Sequence, residues 1–190
     1  MTLSPLAKEI LAFWFGTPPL AERDVWFRKD PAFDETIRAR FGETIEAARA
    51  GAFGEWCVEP RGALARVIVL DQLTRNAYRG TPDAFSGDAR ALATSQDAID
   101  NGFDRSLDAY ERWFLYMPFV HSEDSDMHKR AVELFRALAN ETGLTSPLTW
   151  TERHADVIRR FGRFPHRNAI LGRTSTPEEI AFLATPGSSF

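Results

Sequence analysis

The sequence predicts an all-α fold, a stack of αα-hairpins of about nine helices, on three observations: repeated helix starts, glycine stops and a scarcity of strand signals. Ser4-Pro5, Asp30-Pro31, Ser146-Pro147 and Thr176-Pro177 each set a capping side chain before a proline whose fixed φ suits a first helical turn. Gly16, Gly51, Gly102 and Gly143 each follow a periodic segment, where a residue without Cβ turns left-handed at little strain and ends the helix. Only Arg66 to Leu70 is rich in β-branched residues; it has no partner run, and Leu64, Ile68 and Asp71 also fit a helical spacing.

In chain order, helices are predicted at about 5–15, 21–28, 31–50, 60–78, 86–101, 107–117, 126–141, 147–161 and 177–184. In the third, Phe33, Ile37, Phe41 and Ile45 recur every four residues and form one buried stripe. Gly42 sits inside that helix at a cost of ~1 kcal/mol relative to alanine, which predicts a second helix crossing close to it. Pro118 is expected to end the sixth helix and to leave His121 and Glu123 in a loop. Short connections such as Thr17 to Leu20 and Gly80 to Asp83 favour antiparallel neighbours and leave no linker, so residues 1–190 read as one domain without a fixed-period repeat.

Composition narrows the function classes. Hydrophobic residues at 44% and charged residues at 26% are those of a globular chain. The net charge is −4 and the 20 arginines and 3 lysines are scattered, so no basic face points to nucleic acid. Charges interrupt every apolar run, the strongest of which, Val67 to Leu70, closes at Asp71, so no membrane crossing is expected. Cys57 is alone and Met1 to Phe15 lacks the features of a secretory signal, which together point to the cytoplasm. The clusters Phe13-Trp14-Phe15 and Trp26-Phe27 read as core.

Three segments concentrate polar chemistry. Asp71-Gln72-Leu73-Thr74-Arg75-Asn76 with Arg79 offers either a surface ion pair between Asp71 and Arg75 or a recruited polar site. His121, Ser122 and Glu123 set an imidazole near a carboxylate, suited to acid or base work near neutral pH; alternatively Ser122 or Glu123 caps the next helix. Arg163, His166, Arg167 and Asn168 lie around a Gly and Pro turn, where guanidinium groups could hold a carboxylate or phosphate or tie the last helices to the body. His121, Glu123, His128 and His166 could supply metal ligands, yet their spacing matches no metal motif and none is assigned. No nucleophile elbow, phosphate-cradling loop or dinucleotide fingerprint occurs, so a nucleotide enzyme of the common folds is not expected, and the cofactor is unknown.

The opening Ile10-Leu11-Ala12-Phe13-Trp14-Phe15-Gly16, DQLTRN at 71–76, MPFVHSED at 117–124 and FGRFPHRNAILGRTSTPEE at 161–179 together resemble the uncharacterised bacterial family DUF924 over nearly the whole chain. The resemblance implies an all-α fold similar to tetratricopeptide-repeat proteins and implies no activity, substrate or cofactor. It draws attention to Asp71, Gln72, Arg75, Asn76, His121, Ser122, Glu123, Arg163, His166, Arg167 and Asn168 as site candidates. The chain departs from the family pattern at Leu73 and Thr74, where Phe-Pro is more usual, and at His128, where Gln is.

Three functions are compatible with these residues. The leading one is a binding module in which Arg75, Arg163 and Arg167 hold a small anionic ligand or a peptide carboxylate. The second is a hydrolase with His121 or His166 as general base, oriented by Glu123 or Asp71, with or without a metal. The third is a structural module whose polar segments are internal cross-links and whose surface meets a protein partner.

Overall fold

Eight helical rods carry residues 2–188, the span described by the computed structural model, and among the described residues there is no strand. They are α1 (Pro5–Phe15), α2 (Pro31–Arg49), the composite rod α3, then α4 (Asp88–Asp100), α5 (Ala109–His121), α6 (Ser125–Thr142), α7 (Ser146–Phe161) and α8 (Pro177–Leu183). Rod α3 starts as an α-helix over Pro60–Val67, runs through a π-helical stretch at Ile68–Leu73 and ends as an α-helix over Thr74–Ala77. Short 3₁₀ turns such as Asp24–Trp26, Pro82–Phe85 and Pro165–Arg167 fill the connections.

The punctuation works unevenly. Asp30 accepts hydrogen bonds from the Ala32 and Phe33 amides, and Thr176 forms a reciprocal capping box with Glu179. Ser4 precedes α1 without a side-chain cap bond, and at α7 the capping position falls on Thr145 and not on Ser146. All four predicted stops, Gly16, Gly51, Gly102 and Gly143, have positive φ.

Four expectations need correction. The predicted helix at 21–28 is only the turn Asp24–Trp26, because this segment serves the end of α1: Arg23 donates to the Phe13 and Trp14 carbonyls, and the Trp26 indole donates to Trp14 as well. Pro118 does not end its helix; α5 continues to His121, with the Ser95 hydroxyl of α4 donating to the Leu115 carbonyl in the turn that the proline disturbs. Neither Ser122 nor Glu123 caps α6; Asp124 does, accepting from the Asp126 amide. A Cβ added at Gly42 would meet nothing within 4 Å, so no helix crosses there and nothing in the structure explains that glycine.

Rod α3 is the centre of the molecule. It is covered by α1, α2, α4 and α5, while further on each helix packs on its successor through α4, α5, α6 and α7. A rod enclosed from several sides departs from strict nearest-neighbour stacking. Its run Leu64, Val67, Ile68, Val69, Leu70 and Leu73 is buried all round, as a central helix requires. Aromatic rings from α1, α5 and the 24–26 turn close the core around it, Trp26 meeting Phe114 edge-on at 4.7 Å between centroids, a geometry worth about 0.5–1.5 kcal/mol beyond area burial. Val157, Ile158 and Phe164 form a second, smaller cluster under α7 and α8.

Candidate functional site

The site begins with the π-helical stretch of α3. One extra residue per turn rotates the rest of the rod relative to an ideal α-helix, and such insertions recur where a side chain must be re-aimed. Here the stretch carries Asp71 into the interior, where it is 0% exposed, so Asp71 and Arg75 do not form a pair on the helix surface. Opposite it, the end of α5 delivers His121, whose Nδ1 lies 2.7 Å from Asp71 Oδ1. Gln72 donates to the other carboxylate oxygen at 2.6 Å, and Arg75 Nε approaches Oδ1 at 3.3 Å.

The start of α4 completes the cluster. A Cβ at Gly87 would sit 2.1 Å from the Leu70 carbonyl oxygen, so only glycine lets α4 come down onto the π-helical stretch. That approach sets Asp88 beside Arg75, whose Nη2 donates to both Asp88 oxygens at 2.8 Å. Arg167, from the 165–167 turn, lies with Nη1 3.6 Å from Asp88 and its guanidinium over the rings of Phe164 at 4.5 Å and Phe85 at 4.8 Å. Its side chain donates no hydrogen bond among the described residues, and its Nε is buried without an acceptor.

Electrostatics fix the protonation states. Burial alone would raise the Asp71 carboxyl, but the charge that His121 carries once acid protonates it, the Arg75 charge and the hydrogen bonds from His121 and Gln72 overcome it and hold the group well below the usual carboxylate range. His121 is pushed below its ordinary value by burial first and Arg75 second, against the pull of Asp71. A carboxylate can only accept, so the neutral imidazole donates Nδ1–H to Asp71 and leaves the lone pair on Nε2, which makes no hydrogen bond among the described residues. Burial raises Asp88 despite Arg75, and burial with the neighbouring Arg75 pulls Arg167 down to about 10.

All four histidines of the chain meet in this region. Phe164 is flanked at ring-centroid distances of 5.8, 5.7 and 5.5 Å by His128, His154 and His166, which come from α6, α7 and the 165–167 turn. Burial is the main cause that lowers each of them, His154 to about 3 and His166 to about 4.

The structure divides the sequence candidates in two. Asp71, Gln72, Arg75, His121 and Arg167 share the cluster, with His166 at its edge beside Phe164. The others serve as cross-links. Arg163 spends its fork on Glu179 at 2.7 and 2.8 Å, and Asn168 donates to Ser175 and Glu179 while accepting from Arg173. Glu123 takes both terminal nitrogens of Arg173 and the Phe164 amide, so it is not the group that orients His121. Asn76 donates to the Gln72 carbonyl and accepts from Arg79, which is itself held by Asp34 of α2. The Ser122 carbonyl receives His128 Nε2 at 2.7 Å. Sequence reading missed Asp88 and Phe85, which belong to no recognisable motif, and passed over Phe164, an apolar residue inside the 161–179 motif; the one local signal was Gly87 beside Asp88, which permits a close approach of two backbones. No three His, Cys, Asp or Glu side chains among the described residues are grouped so as to hold a metal ion.

Fold and site together define an all-helical protein built around a buried carboxylate–imidazole pair set among arginines. The chain belongs to the family described as bacterial protein of unknown function (DUF924), whose profile matches residues 10–187. It is similar to a solved structure described as a protein of unknown function, ATU0120, from Agrobacterium tumefaciens, with 39% identity, a TM-score of 0.85, and coverage of 94% of this chain and 97% of that one. No curated protein matches the chain. Among the described residues, no helix is long and apolar enough to cross a membrane.

Proposed function

We propose that the chain is a hydrolase of the general-base type, with His121 as the base and Asp71 as the residue that orients it. The supporting observation is the 2.7 Å contact between a fully buried carboxylate and an imidazole whose outer nitrogen makes no hydrogen bond among the described residues. In the reaction, Nε2 takes a proton from water as the hydroxyl bonds to a carbonyl or phosphoryl centre. The imidazolium, stabilised by Asp71, then returns that proton to the departing group. The choice of His121 over His166 rests on that contact with Asp71. We also place the protein in a reducing compartment, the cytoplasm, a reading supported by the free thiol of Cys57.

The test is turnover of a panel of small nitrophenyl esters and phosphate esters by the parent and by His121→Gln. Loss of a positioned base is expected to lower kcat by about 10²–10⁴-fold with a smaller change in KM. Turnover by His121→Gln equal to the parent's overturns the assignment. A pH–rate profile for kcat/KM should rise through a single ionisation below the ordinary histidine value, in line with the direction of the His121 shift.

A further inference from the structure

We infer that the site takes a small oxyanion, held in the plane of the Arg167 guanidinium, and that its binding is coupled to proton uptake at His121. The inference rests on the reading of His121 as the proton-accepting group, and it names the class of substrate: a small anionic ester or phosphoester.

The first support is a contrast among arginines. Arg75, Arg79, Arg163 and Arg173 each reach both oxygens of one carboxylate, of Asp88, Asp34, Glu179 and Glu123 respectively. Arg167 is only 6% exposed and has no such partner; its nearest carboxylate oxygen is 3.6 Å away and none of its five N–H groups donates a hydrogen bond among the described residues. A guanidinium taken out of water with no acceptor at hydrogen-bond distance loses hydration that the fold does not replace, so a site that keeps it there suits an acceptor that arrives. Its carbon lies 4.8 and 4.5 Å from the ring centroids of Phe85 and Phe164, contacts that use the π-face of the cation and none of its N–H donors, and those donors match the paired oxygens of a carboxylate or phosphate.

The second support is the charge balance. Within the cluster the carboxylates Asp71 and Asp88 face the guanidiniums Arg75 and Arg167, and Glu123 is answered by Arg173. With His121 neutral the sum is zero. His128, His154 and His166, which face the same region from α6, α7 and the 165–167 turn, are kept neutral by burial. An incoming monoanion therefore adds one negative charge and raises the proton affinity of His121, which makes the neutral imidazole a stronger base near neutral pH and lets it take up a balancing proton in acid. Ligand binding and protonation then favour each other by linkage.

The experiment is titration of the full chain with sodium phosphate and, separately, sodium acetate, at constant ionic strength set with chloride. Ring resonances of His121 are followed by NMR, and proton uptake is measured by calorimetry in buffers of different ionisation heat. One or both anions should saturate in the millimolar range, bind more tightly below neutral pH than above it, and move His121 toward higher titration values. Phosphate alone assigns a phosphoester, acetate alone a carboxylate-bearing substrate. Arg167→Gln should weaken binding roughly tenfold or more, the scale of one charge-assisted pair. Should that variant fail to fold, His121→Gln gives a second arm, in which the anion still binds but proton uptake disappears. Absence of saturable binding by either anion to the parent, or undiminished binding by folded Arg167→Gln, overturns the inference. Proton uptake that persists in His121→Gln overturns the coupling. The outcomes separate from those of the hydrolase reading: an anion bound through Arg167 with turnover indifferent to His121→Gln removes only the base, whereas turnover lost in His121→Gln without any anion binding removes only the receptor.

Discussion

Asp71 carries more of this molecule than any other polar side chain. It is fully buried and accepts from His121, Gln72 and Arg75 at once, so removing its charge leaves Arg75 with Asp88 alone and His121 without its orienting acceptor. Breaking a buried pair by removing one partner typically destabilises by about 3–5 kcal/mol. Asp71→Asn should therefore lower the denaturant midpoint strongly, and His121 in that variant should titrate below its parent value, because the charge that pulls it upward most strongly is gone. NMR titration of a folded Asp71→Asn sample reads this directly; a His121 that titrates higher than in the parent contradicts it. At this scale the sequence was half legible. Asp71, Arg75, His121 and Arg167 stood out by residue type and by the segments they sit in. Their partnerships did not, since Asp71 and His121 lie 50 residues apart and nothing local distinguishes Arg167 from Arg163, four positions earlier, which is spent on Glu179.

Helices are written in the chain by local chemistry, which is why their ends were legible: a cap, a proline or a left-handed glycine acts within one turn. Two of the misreadings share one cause, tertiary partners that replace a local signal. The 21–28 segment gives its polar groups to the end of α1, and Ser95 supports the turn ahead of Pro118. The π-helical stretch has no local signature at all; it coincides with the place where Gly87 presses against the Leu70 carbonyl. Two glycines make this testable. Gly42 in α2 has ordinary helical φ and open space at its Cβ, so Gly42→Ala should raise stability by about 0.5–1 kcal/mol through helix propensity and a less flexible unfolded chain. Gly87→Ala should do the reverse, because a methyl 2.1 Å from a backbone oxygen must push α4 away and draw Asp88 from Arg75. Thermal unfolding of the two variants side by side, with opposite signs of the Tm change, is the expected result; a stabilised Gly87→Ala would show that the close approach is not needed.

For the whole molecule, the assembly of α5, α6, α7 and the 165–167 turn brings four histidines into one weakly hydrated region, an arrangement no helix contains by itself. This sets the acid limb of stability. Each imidazole titrates lower in the folded chain than its ordinary 6.5, with His166 near 4 and His154 near 3. Between those limits the unfolded chain binds more protons than the folded one, so the unfolding free energy rises with pH and falls as acid is added. The loss starts near 6.5 and continues through 4 toward 3, where it is joined by protonation of Asp71, Glu123 and Glu179, all held below the usual carboxylate range. Each histidine adds at most ~1.4 kcal/mol per pH unit, and the hydration that His154 and His166 retain narrows the pH span over which they contribute. Denaturant midpoints taken from neutral pH down to about 4 should fall steeply for the parent and less steeply for a His154→Asn/His166→Asn variant. Parallel pH dependences for the two proteins would mean that the histidines meeting around Phe164 are not what makes the fold sensitive to acid.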